Sequence, residues 1–449
     1  MTDQINTREI VLDMLLEVLE GDKYSHTVLN HTLKSHQKLE KQERAFITRL
    51  FHGTIKCYIT LDYIINQFAS LPVTKMKPLI RNLLRMSVYQ LMYMDQVPVS
   101  AVCNEAVKIA KKRSFMKLSG FVNAILRNID RENSKIVFPK KEISPASYLE
   151  VIYSTPAWLV DELLHQYPFT TVESMLSASL KEKELTIRCN TSKTTTEELM
   201  LQLKKEGVTV EQSEYLKYAF KIKDYDYLDK LASFQKGLFT IQDVSSMLVC
   251  ECAGIRAEDI VVDVCSAPGG KALHAAQTAA RVSARDLTDY KINLIRENIE
   301  RLGASNVEVK VWDATVLDEE IIGLADVVIA DLPCSGLGVL GKKSDIKYKL
   351  TQKQHKELVE LQRIILDNAA KYVKPGGVLM FSTCTVNKEE NIENRNWFLK
   401  REEFSPDSLD RYLPKQLCCD TTAEGYLQLI QGVHNTDGFF ISRFIKRSV

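Results

Sequence analysis

The chain has 449 residues, of which 45% are apolar and 26% are charged, so it is long enough for two or three domains and has the composition of a globular protein. Its net charge of +1 is unevenly divided: residues 1–141 hold 22 Lys and Arg against 13 Asp and Glu, and the rest hold 37 against 45. A basic front end is typical of a protein that binds a polyanion, although a solvated helical surface produces a weaker version of the same excess.

Three further features argue against other classes of protein. No apolar run approaches the roughly 20 residues that cross a bilayer. The stretch 1–20 carries acids throughout, unlike a basic and then apolar leader, so we expect a cytoplasmic protein that does not contact a membrane. The ten cysteines are irregularly spaced and include no C-x-x-C pair, which predicts neither a disulfide framework nor a zinc site.

Residues 7–130 have the apolar spacing of helices, with hardly any strand signal between them. Prolines fall between the apolar runs or at their starts, where a helix tolerates them. We therefore predict six or seven helices packed as one all-α domain over residues 1–135. The polar, proline-bearing segment 130–147 is interpreted as a linker.

Two more domains are predicted after the linker. Residues 145–235 combine an amphipathic helix with short β-rich runs and a second helical run, which indicates a small α+β module. Over residues 236–449, apolar strands alternate with helices, which predicts a parallel sheet covered on both faces. Two further strands near the C-terminus, GYLQLIQG and DGFFISRFI, are expected to form a hairpin-like edge.

The first strand of the predicted sheet runs into a glycine-rich turn and then a helix. Such a turn lets a ligand approach the backbone and the helix N-terminus, which is where doubly wound sheets bind cofactors. It matches neither the G-x-G-x-x-G dinucleotide fingerprint nor a phosphate-binding P-loop, and a plain strand-to-helix turn is the alternative. The residues of this candidate cofactor loop are Cys265, Ser266, Ala267, Pro268, Gly269, Gly270 and Lys271.

Acidic residues end the next three strands. Asp286 follows the second strand, about 20 residues after the cofactor loop, where a carboxylate can bind ribose hydroxyls. Asp313 and Asp331 end the third and fourth strands. A single aspartate at a strand end is more often a turn former than a ligand, but the ends of these neighbouring strands converge on one crevice.

Two cysteines lie at the ends of the fourth and fifth strands, Cys334 in DLPCSG and Cys384 in STCTV. If these strands are neighbours, both thiols face the crevice, since adjacent strands lie about 5 Å apart. A lone cysteine in a strand is usually an inert core residue. A pair on adjacent strand ends, beside a candidate adenosine site and Lys271, favours a reactive site instead.

The motifs CSAPGGK, DLPCSGLG and STCTV resemble those of the RNA cytosine-C5 methyltransferase family, whose cofactor is S-adenosylmethionine. The front end, with VPVSAVCNEAVKIAKK followed by GFVNAILRN, resembles the NusB-type RNA-binding domain. The pairing is similar to the bacterial 16S rRNA (cytosine-C5)-methyltransferases of the RsmB/Sun type, and the resemblance covers nearly the whole chain. The family usually has Ala where this chain has Leu332, and this difference does not affect the catalytic residues of the motif.

The resemblance implies a multidomain fold class. It consists of an all-α NusB-like N-terminal domain, a small α+β RNA-recognition-like module and an α/β Rossmann-like class I methyltransferase domain. The module contains Arg188 and Asn190. Basic residues of the first domain, Lys111–Arg113 and Lys117, would contact RNA phosphates, and a solvated helix face is the alternative.

The resemblance also implies a covalent route to carbon 5 of cytosine, which is a poor nucleophile. A thiolate adds to carbon 6, and the ring becomes an enamine that can attack a methyl-sulfonium. In this family Cys384 would be the nucleophile, and Cys334 would help to release the methylated base. Asp331 would hydrogen-bond the cytosine edge and keep N3 protonated, and Lys271 would orient the substrate and favour the thiolate, since a nearby cation lowers the pKa of a cysteine.

The cofactor contacts follow from the same resemblance. The cofactor loop would lie against the methionine and adenosine parts of S-adenosylmethionine, with Asp286 on the ribose, Asp313 near the adenine and Asp331 also at this site. No metal is expected, because the sulfonium is already activated. The implied partner is 16S rRNA, naked or in an early assembly intermediate, because the target base must be unstacked to enter such a crevice. We expect the protein to be a monomer.

Three other functions stay open at this point. A non-catalytic RNA-binding or antitermination factor would fit the front domain alone, but it has no use for two thiols beside Lys271 and Asp331. A cytosine-C5 enzyme could act on tRNA or on another rRNA position, and the NusB-type domain favours the small-subunit target only through resemblance. A nicotinamide-dependent oxidoreductase is disfavoured by APGGK in place of G-x-G-x-x-G.

Overall fold

The computed structural model describes residues 6–448, and this part of the chain divides into two compact units. The first comprises the described residues up to Lys181 together with Leu340–Lys349. The second comprises Glu182–Val339 and the described residues from Leu350 onward. Within residues 6–448, no helix is both long and apolar enough to cross a membrane.

Helices and strands are numbered here in chain order. The α-helices are α1 (Thr7–Leu19), α2 (Ser25–Ser35), α3 (Lys41–Lys56), α4 (Tyr58–Phe68), α5 (Pro78–Tyr93), α6 (Val99–Lys112), α7 (Ser119–Arg131), α8 (Pro145–Ile152), α9 (Ala157–Gln166), α10 (Phe169–Leu180), α11 (Thr196–Lys205), α12 (Ala232–Gln235), α13 (Val244–Ala253), α14 (Gly270–Ala275), α15 (Asp289–Leu302), α16 (Ile346–Lys349), α17 (Gln352–Tyr372), α18 (Asn394–Phe398) and α19 (Asp420–Ala423). The strands are β1 (Leu185–Cys189), β2 (Thr209–Gln212), β3 (Ala219–Lys223), β4 (Phe239–Ile241), β5 (Ile260–Asp263), β6 (Arg281–Asp286), β7 (Val307–Val311), β8 (Ala325–Asp331), β9 (Val373–Thr383), β10 (Phe404–Pro406), β11 (Tyr426–Leu429) and β12 (Phe439–Lys446).

The first unit begins with the helices α1 to α7, which confirm the predicted six or seven helices. The side chain of Asn6 starts α1 by accepting hydrogen bonds from the N–H groups of Arg8 and Glu9. Pro78 is the first residue of α5, a position where a helix needs no N–H partner. The apolar faces of these helices form one core, which includes Leu12, Leu50, Phe51, Leu83, Leu84 and Leu126.

The segment Leu340–Lys349 belongs to the first unit although it interrupts the sequence of the second. The Asp345 carboxylate accepts hydrogen bonds from the N–H and the hydroxyl of Ser25, at 2.8 and 2.6 Å, in the first turn of α2. The Tyr348 hydroxyl donates to the carbonyl of Ser154 at 2.9 Å. The sequence does not indicate that Leu340–Lys349 packs in the first unit, because local periodicity carries no information about contacts between distant parts of a chain.

A four-stranded antiparallel sheet opens the second unit, with the strand order β2-β3-β1-β4. Strand β4 was not predicted, because three residues are too few to show an alternating pattern. The buried Arg188 side chain donates hydrogen bonds to the side-chain oxygens of Gln242 and Gln277, at 2.7 and 2.5 Å. Arg188 therefore holds this sheet against the rest of the second unit and is not exposed for contact with RNA.

The large sheet of the second unit has the order β10-β12-β9-β8-β5-β6-β7, and β11 pairs with β12. Strands β5 to β9 are parallel and β10 to β12 are antiparallel, so the sheet is mixed and not wholly parallel. Two separate apolar cores contain the side chains of its strands. Strands β11 and β12 pair as predicted, but the expectation of an edge is wrong for β12. It pairs with β9 on one side and with β10 on the other, and most of its residues are buried, as is usual for a strand inside a sheet.

Candidate active site

The carboxyl ends of β5 to β9 meet at one edge of the large sheet, and the predicted site residues lie there. Asp286 and Asp331 are the last residues of β6 and β8. Asp313 comes two residues after β7, and Cys384 directly follows β9. The cofactor loop connects β5 to α14. The topology thus places all five strand ends on the rim where sheets of this kind bind ligands.

The cofactor loop is held by its own turn and by β6. Gly269 has φ +101°, and a Cβ atom added there would lie 3.2 Å from Cδ1 of Leu273, so the position requires glycine. The Ser266 N–H donates to the carbonyl of Arg285 at 2.8 Å, and the Ala267 N–H donates to Oδ2 of Asp286 at 2.9 Å. The loop conformation therefore depends on the end of the neighbouring strand.

The two aspartates predicted to contact the cofactor differ in their surroundings. Asp286 is buried, and its Oδ1 accepts a hydrogen bond from the N–H of Leu287 at 2.8 Å and forms an ion pair with Nζ of Lys291 at 2.9 Å. Asp313 is exposed, and its Oδ1 accepts from the N–H and the hydroxyl of Thr315, at 2.9 and 2.7 Å. Asp313 therefore forms a turn, as the sequence alternative described, and a ligand role for it stays a prediction.

Lys271 and Asp331 form an ion pair between α14 and β8. Nζ of Lys271 lies 2.6 Å from Oδ2 of Asp331, and Oδ1 of Asp331 accepts a hydrogen bond from the Ser382 hydroxyl at 2.8 Å. Burial lowers the pKa of Lys271, but the charge and hydrogen bond of Asp331 outweigh it, so the pKa is raised above its ordinary value. Lys271 is consequently a cation at neutral pH, and it fixes the Asp331 carboxylate.

The two predicted cysteines are in contact, with 3.3 Å between Sγ of Cys334 and Sγ of Cys384. The parallel register of β8 and β9, which sets Asp331 opposite Ser382, brings them together. The pKa of Cys334 lies well above its ordinary value, first because of its hydrogen bond to Cys384 and then because of burial and nearby negative charge. Cys334 therefore keeps its proton, and either thiol can donate the hydrogen bond between the two sulfur atoms.

A buried acid beside the loop was missed by the sequence analysis. The Ser266 hydroxyl and the Cys265 N–H lie near enough to Asp263 to lower its pKa. Asp263, which ends β5 and is 0% exposed, nevertheless has no hydrogen bond of good geometry to any described residue. The buried Ser266 hydroxyl is in the same situation. Burial raises the pKa of Asp263 to about 7, although the Lys271 charge acts in the opposite direction. Its sequence signal was the acid that ends the strand VVD, just before the cofactor loop.

The sequence analysis also missed Glu390 and Asn391. Both side chains are buried, in the π-helical turn Glu389–Glu393 that follows the Thr-Cys-Thr motif. The available signal was the polar run NKEEN placed directly after a strand of the core. Polar residues that are buried together are hydrogen-bonded as a rule, and Glu390 and Asn391 both have such partners.

The basic cluster of the first unit is partly neutralised. Lys112 lies 2.7 Å from a carboxylate oxygen of Glu9, and Arg113 lies 2.6 Å from Asp13. Lys117 is exposed. Contact of these residues with phosphate stays a prediction, and the ion pairs reduce the positive charge that Lys112 and Arg113 can offer.

Three family models and a full-length relative match this chain. The family model described as 16S rRNA methyltransferase RsmB/F matches residues 253–445, the NusB family model matches 5–131, and an RsmF/B-like ferredoxin-like domain matches 155–226. A probable ribosomal RNA small subunit methyltransferase B from Bacillus subtilis (strain 168) is 35% identical over 448 residues, which cover 98% of this chain and 99% of that protein. The chain belongs to this family of ribosomal RNA small subunit methyltransferases. The resemblance drawn from the motifs is thereby confirmed.

Further likenesses cover most or all of the chain. The ribosomal RNA small subunit methyltransferase B of Cronobacter sakazakii (strain ATCC BAA-894) is 28% identical, and the match covers 100% of both chains. The crystal structure of PH0851 is 25% identical, covers 99% of each chain and has a TM-score of 0.81. The structure of NSun6 from Pyrococcus horikoshii with SFG is 22% identical, covers 70% of this chain and 99% of that one, and has a TM-score of 0.57. These findings confirm the predicted fold class, with a helical domain, a ferredoxin-like module and a methyltransferase domain.

Proposed function

We propose that this RNA methyltransferase transfers a methyl group from S-adenosylmethionine to carbon 5 of a cytosine in 16S rRNA, through a covalent bond between Cys384 and carbon 6. The observation that carries the proposal is the pair of thiols, 3.3 Å apart, at strand ends that also hold the Lys271–Asp331 ion pair. Methylation at a nitrogen or oxygen atom has no need of two thiols. Carbon 5 of cytosine does need a thiolate, because the ring must first be made nucleophilic.

The described residues fit S-adenosylmethionine, which when bound supplies the methyl group on an activated sulfonium. Asp263 and the Ser266 hydroxyl are buried polar groups with no hydrogen bond of good geometry to the described residues, and a ligand with hydrogen-bond donors would satisfy them better. The left-handed turn at Gly269 lets a ligand approach the backbone of the cofactor loop. Asp286 would hold the ribose, and Asp313 would lie near the adenine.

Attack begins with the Cys384 thiolate. The pKa of Cys334 lies well above its ordinary value, so Cys334 keeps its proton and Cys384 is the thiol that supplies the thiolate. Cys384 would form a bond to carbon 6 of cytosine, and the π electrons of the C5=C6 double bond would shift to give an enamine with a nucleophilic carbon 5. Carbon 5 would then bond to the methyl group as the S–CH3 bond breaks and leaves its electron pair on sulfur. This assignment is carried over from the resemblance to the RNA cytosine-C5 methyltransferases, and the raised pKa of Cys334 supports it. Reversed roles would give an adduct with Cys384→Ala and none with Cys334→Ala.

Asp331 would hold the target base during attack. Its carboxylate accepts a hydrogen bond from N3 of a cytosine that is protonated there, and protonation makes carbon 6 more electrophilic. Lys271 and Ser382 fix the two oxygens of Asp331, at 2.6 and 2.8 Å, so little reorganisation is needed when the base enters. In the last step a base would take the proton from carbon 5, the electron pair of that C–H bond would re-form the C5=C6 double bond, and Cys384 would leave carbon 6 as a thiolate. Cys334 would assist this release of the methylated base.

The substrate is proposed to be 16S rRNA that is naked or in an early assembly intermediate, bound by a monomeric enzyme. A cytosine paired inside a helix cannot reach a crevice of this kind, so the target must be unstacked. The basic excess of residues 1–141 would supply phosphate contacts, which position RNA without reading its sequence.

Nucleoside analysis tests this function directly. Deproteinised 16S rRNA is incubated with the enzyme and methyl-labelled S-adenosylmethionine, digested, and separated by chromatography with mass detection. We expect label in 5-methylcytidine for the wild type. Asp331→Asn should lower the methylation activity by about 100-fold or more, because proton transfer assisted by a positioned side chain contributes on that scale. Replacement of the exposed Asp229 by Asn is the matched control and should keep full activity. Label in any other nucleoside would contradict the proposal.

A further inference from the structure

We propose that Glu390 and Asn391 are positioning residues that hold the two thiols of the active site against each other. They are adjacent in the π-helical turn Glu389–Glu393, and both are at most 1% exposed. Short π-helical segments are rare and recur at functional sites. The inference rests on the proposed function, in which Cys384 attacks and Cys334 takes part in release.

Glu390 holds both neighbours of Cys334. Its carboxylate accepts hydrogen bonds from the N–H of Ser335, at 2.9 Å, and from the Ser335 hydroxyl. It also accepts from Nε2 of Gln362 at 3.0 Å, and the same Nε2 donates to the carbonyl of Pro333 at 2.9 Å. Since Pro333 and Ser335 flank Cys334 in the chain, one buried carboxylate fixes the backbone on either side of that thiol.

Asn391 holds both neighbours of Cys384 in the same way. Its Oδ1 accepts a hydrogen bond from the Thr383 hydroxyl at 2.5 Å, and its Nδ2 donates to the carbonyl of Thr385 at 3.0 Å. The hydroxyls of Ser335 and Thr385 are also 2.7 Å apart, which links the two groups of contacts. Two consecutive residues of one turn therefore each hold one thiol-bearing segment.

A structural role alone gives a poor account of Glu390. Placing a carboxylate in the interior is costly, and an apolar residue of similar size would often pack there at least as well. Hydrogen bonds to a carboxylate are stronger than neutral ones and limit motion of the donors. The arrangement suits a site whose two sulfur atoms must keep a separation of 3.3 Å while a base enters and leaves.

The two residues predict opposite kinetic defects, because each holds a different thiol. Glu390→Ala should leave attack by Cys384 intact and slow release, so the covalent enzyme–RNA adduct accumulates while turnover falls by about 100-fold. Glu390→Gln keeps one acceptor and should show the same pattern at about tenfold. Asn391→Ala should lower adduct formation and turnover together. The matched control is Glu393→Gln, an exposed glutamate of the same turn, which should behave as the wild type.

A second readout needs no RNA and no methyl donor. Diamide takes two electrons and two protons from a pair of thiols and is reduced to a hydrazine, which leaves a disulfide. In the wild-type full-length chain we expect diamide to join Cys334 to Cys384, detected by mass spectrometry of alkylated digests. Glu390→Gln and Asn391→Ala should each slow this joining by about tenfold, because a displacement of about 1 Å has effects of this size or larger.

The outcomes separate the two proposals. Wild-type enzyme that makes no 5-methylcytidine would overturn the proposed function, and the diamide rates would still decide whether the turn positions the thiols. If Glu390→Gln and Asn391→Ala oxidise at the wild-type rate, or if Glu390→Gln loses adduct and turnover in equal measure, the positioning inference is wrong. Should Glu390→Ala fail to fold by circular dichroism, Glu390→Gln alone decides the role of Glu390.

Discussion

Asp263 shows how one buried residue couples the site to stability. Burial raises its pKa to about 7, whereas an aspartate in an unfolded chain titrates near pH 3.9. Between about pH 4 and pH 7 the folded state therefore holds a proton that the unfolded state has lost. The stabilisation is complete below the unfolded pKa and is lost as pH rises through the folded one.

We expect Asp263→Asn to remove this pH dependence. From pH 4 to pH 8, the free energy of unfolding of the wild type should fall by roughly 2–4 kcal/mol more than that of the variant, as the pKa difference dictates. Urea unfolding followed by circular dichroism at several pH values measures both. Asp229→Asn, at an exposed site, should keep the wild-type slope. An identical slope in Asp263→Asn would show that Asp263 does not hold the extra proton.

Single residues of the site could be predicted from the sequence where a motif places them at a strand end. Lys271, Cys334 and Cys384 were predicted in this way, and the structure brings them to one rim. Asp263 and Glu390 could not be recognised, because their significance depends on burial and on partners that are distant in sequence. The identity of a polar residue does not show whether its side chain is exposed to solvent or buried.

At the scale of the element, the turn from β5 into α14 depends on one glycine. Gly269→Ala forces a residue with a Cβ atom into a left-handed conformation, which should cost about 1–2 kcal/mol of unfolding free energy. The distorted cofactor loop should also bind S-adenosylmethionine about tenfold more weakly by titration calorimetry, since a conformational cost of this size is about one decade.

The matched control is Gly120→Ala in α7. A Cβ atom there meets nothing within 4 Å, and the residue is helical, so stability should be unchanged or rise by about 0.5–1 kcal/mol. Cofactor binding should stay at the wild-type value. If both glycine variants lose stability and affinity alike, the left-handed turn is not the feature that the loop requires.

The sequence predicts helices and strands whose apolar residues recur at regular spacing. It does not predict very short strands or pairing between strands that are distant in sequence. Strands β5, β8 and β9 are apolar runs of the expected kind, and their alternation with helices predicts that they are parallel. Their order in the sheet depends on pairing between strands that are distant in sequence. Strands β4 and β10 are three residues long and carry no period of their own. The place of β12 inside the sheet depends on pairing with β9 and β10, which no local pattern specifies.

At the scale of the whole molecule, the sequence predicts the order of the domains but not the path of the chain between the two compact units. The helical front, the α+β module and the α/β domain follow from changes of period, and the three family models match in that order. The division at 1–135, 145–235 and 236–449 stays a prediction. The passage of Leu340–Lys349 into the first compact unit depends on contacts such as that of Asp345 with Ser25, 320 residues away in sequence.

The chemistry of the whole enzyme depends on which thiol attacks. Deproteinised 16S rRNA and S-adenosylmethionine are mixed with Cys334→Ala and with Cys384→Ala, and protein–RNA adducts that survive denaturation are measured by gel electrophoresis. We predict an adduct with Cys334→Ala, because attack proceeds and release does not, and none with Cys384→Ala. An adduct with Cys384→Ala and none with Cys334→Ala would contradict the account and assign the attack to Cys334.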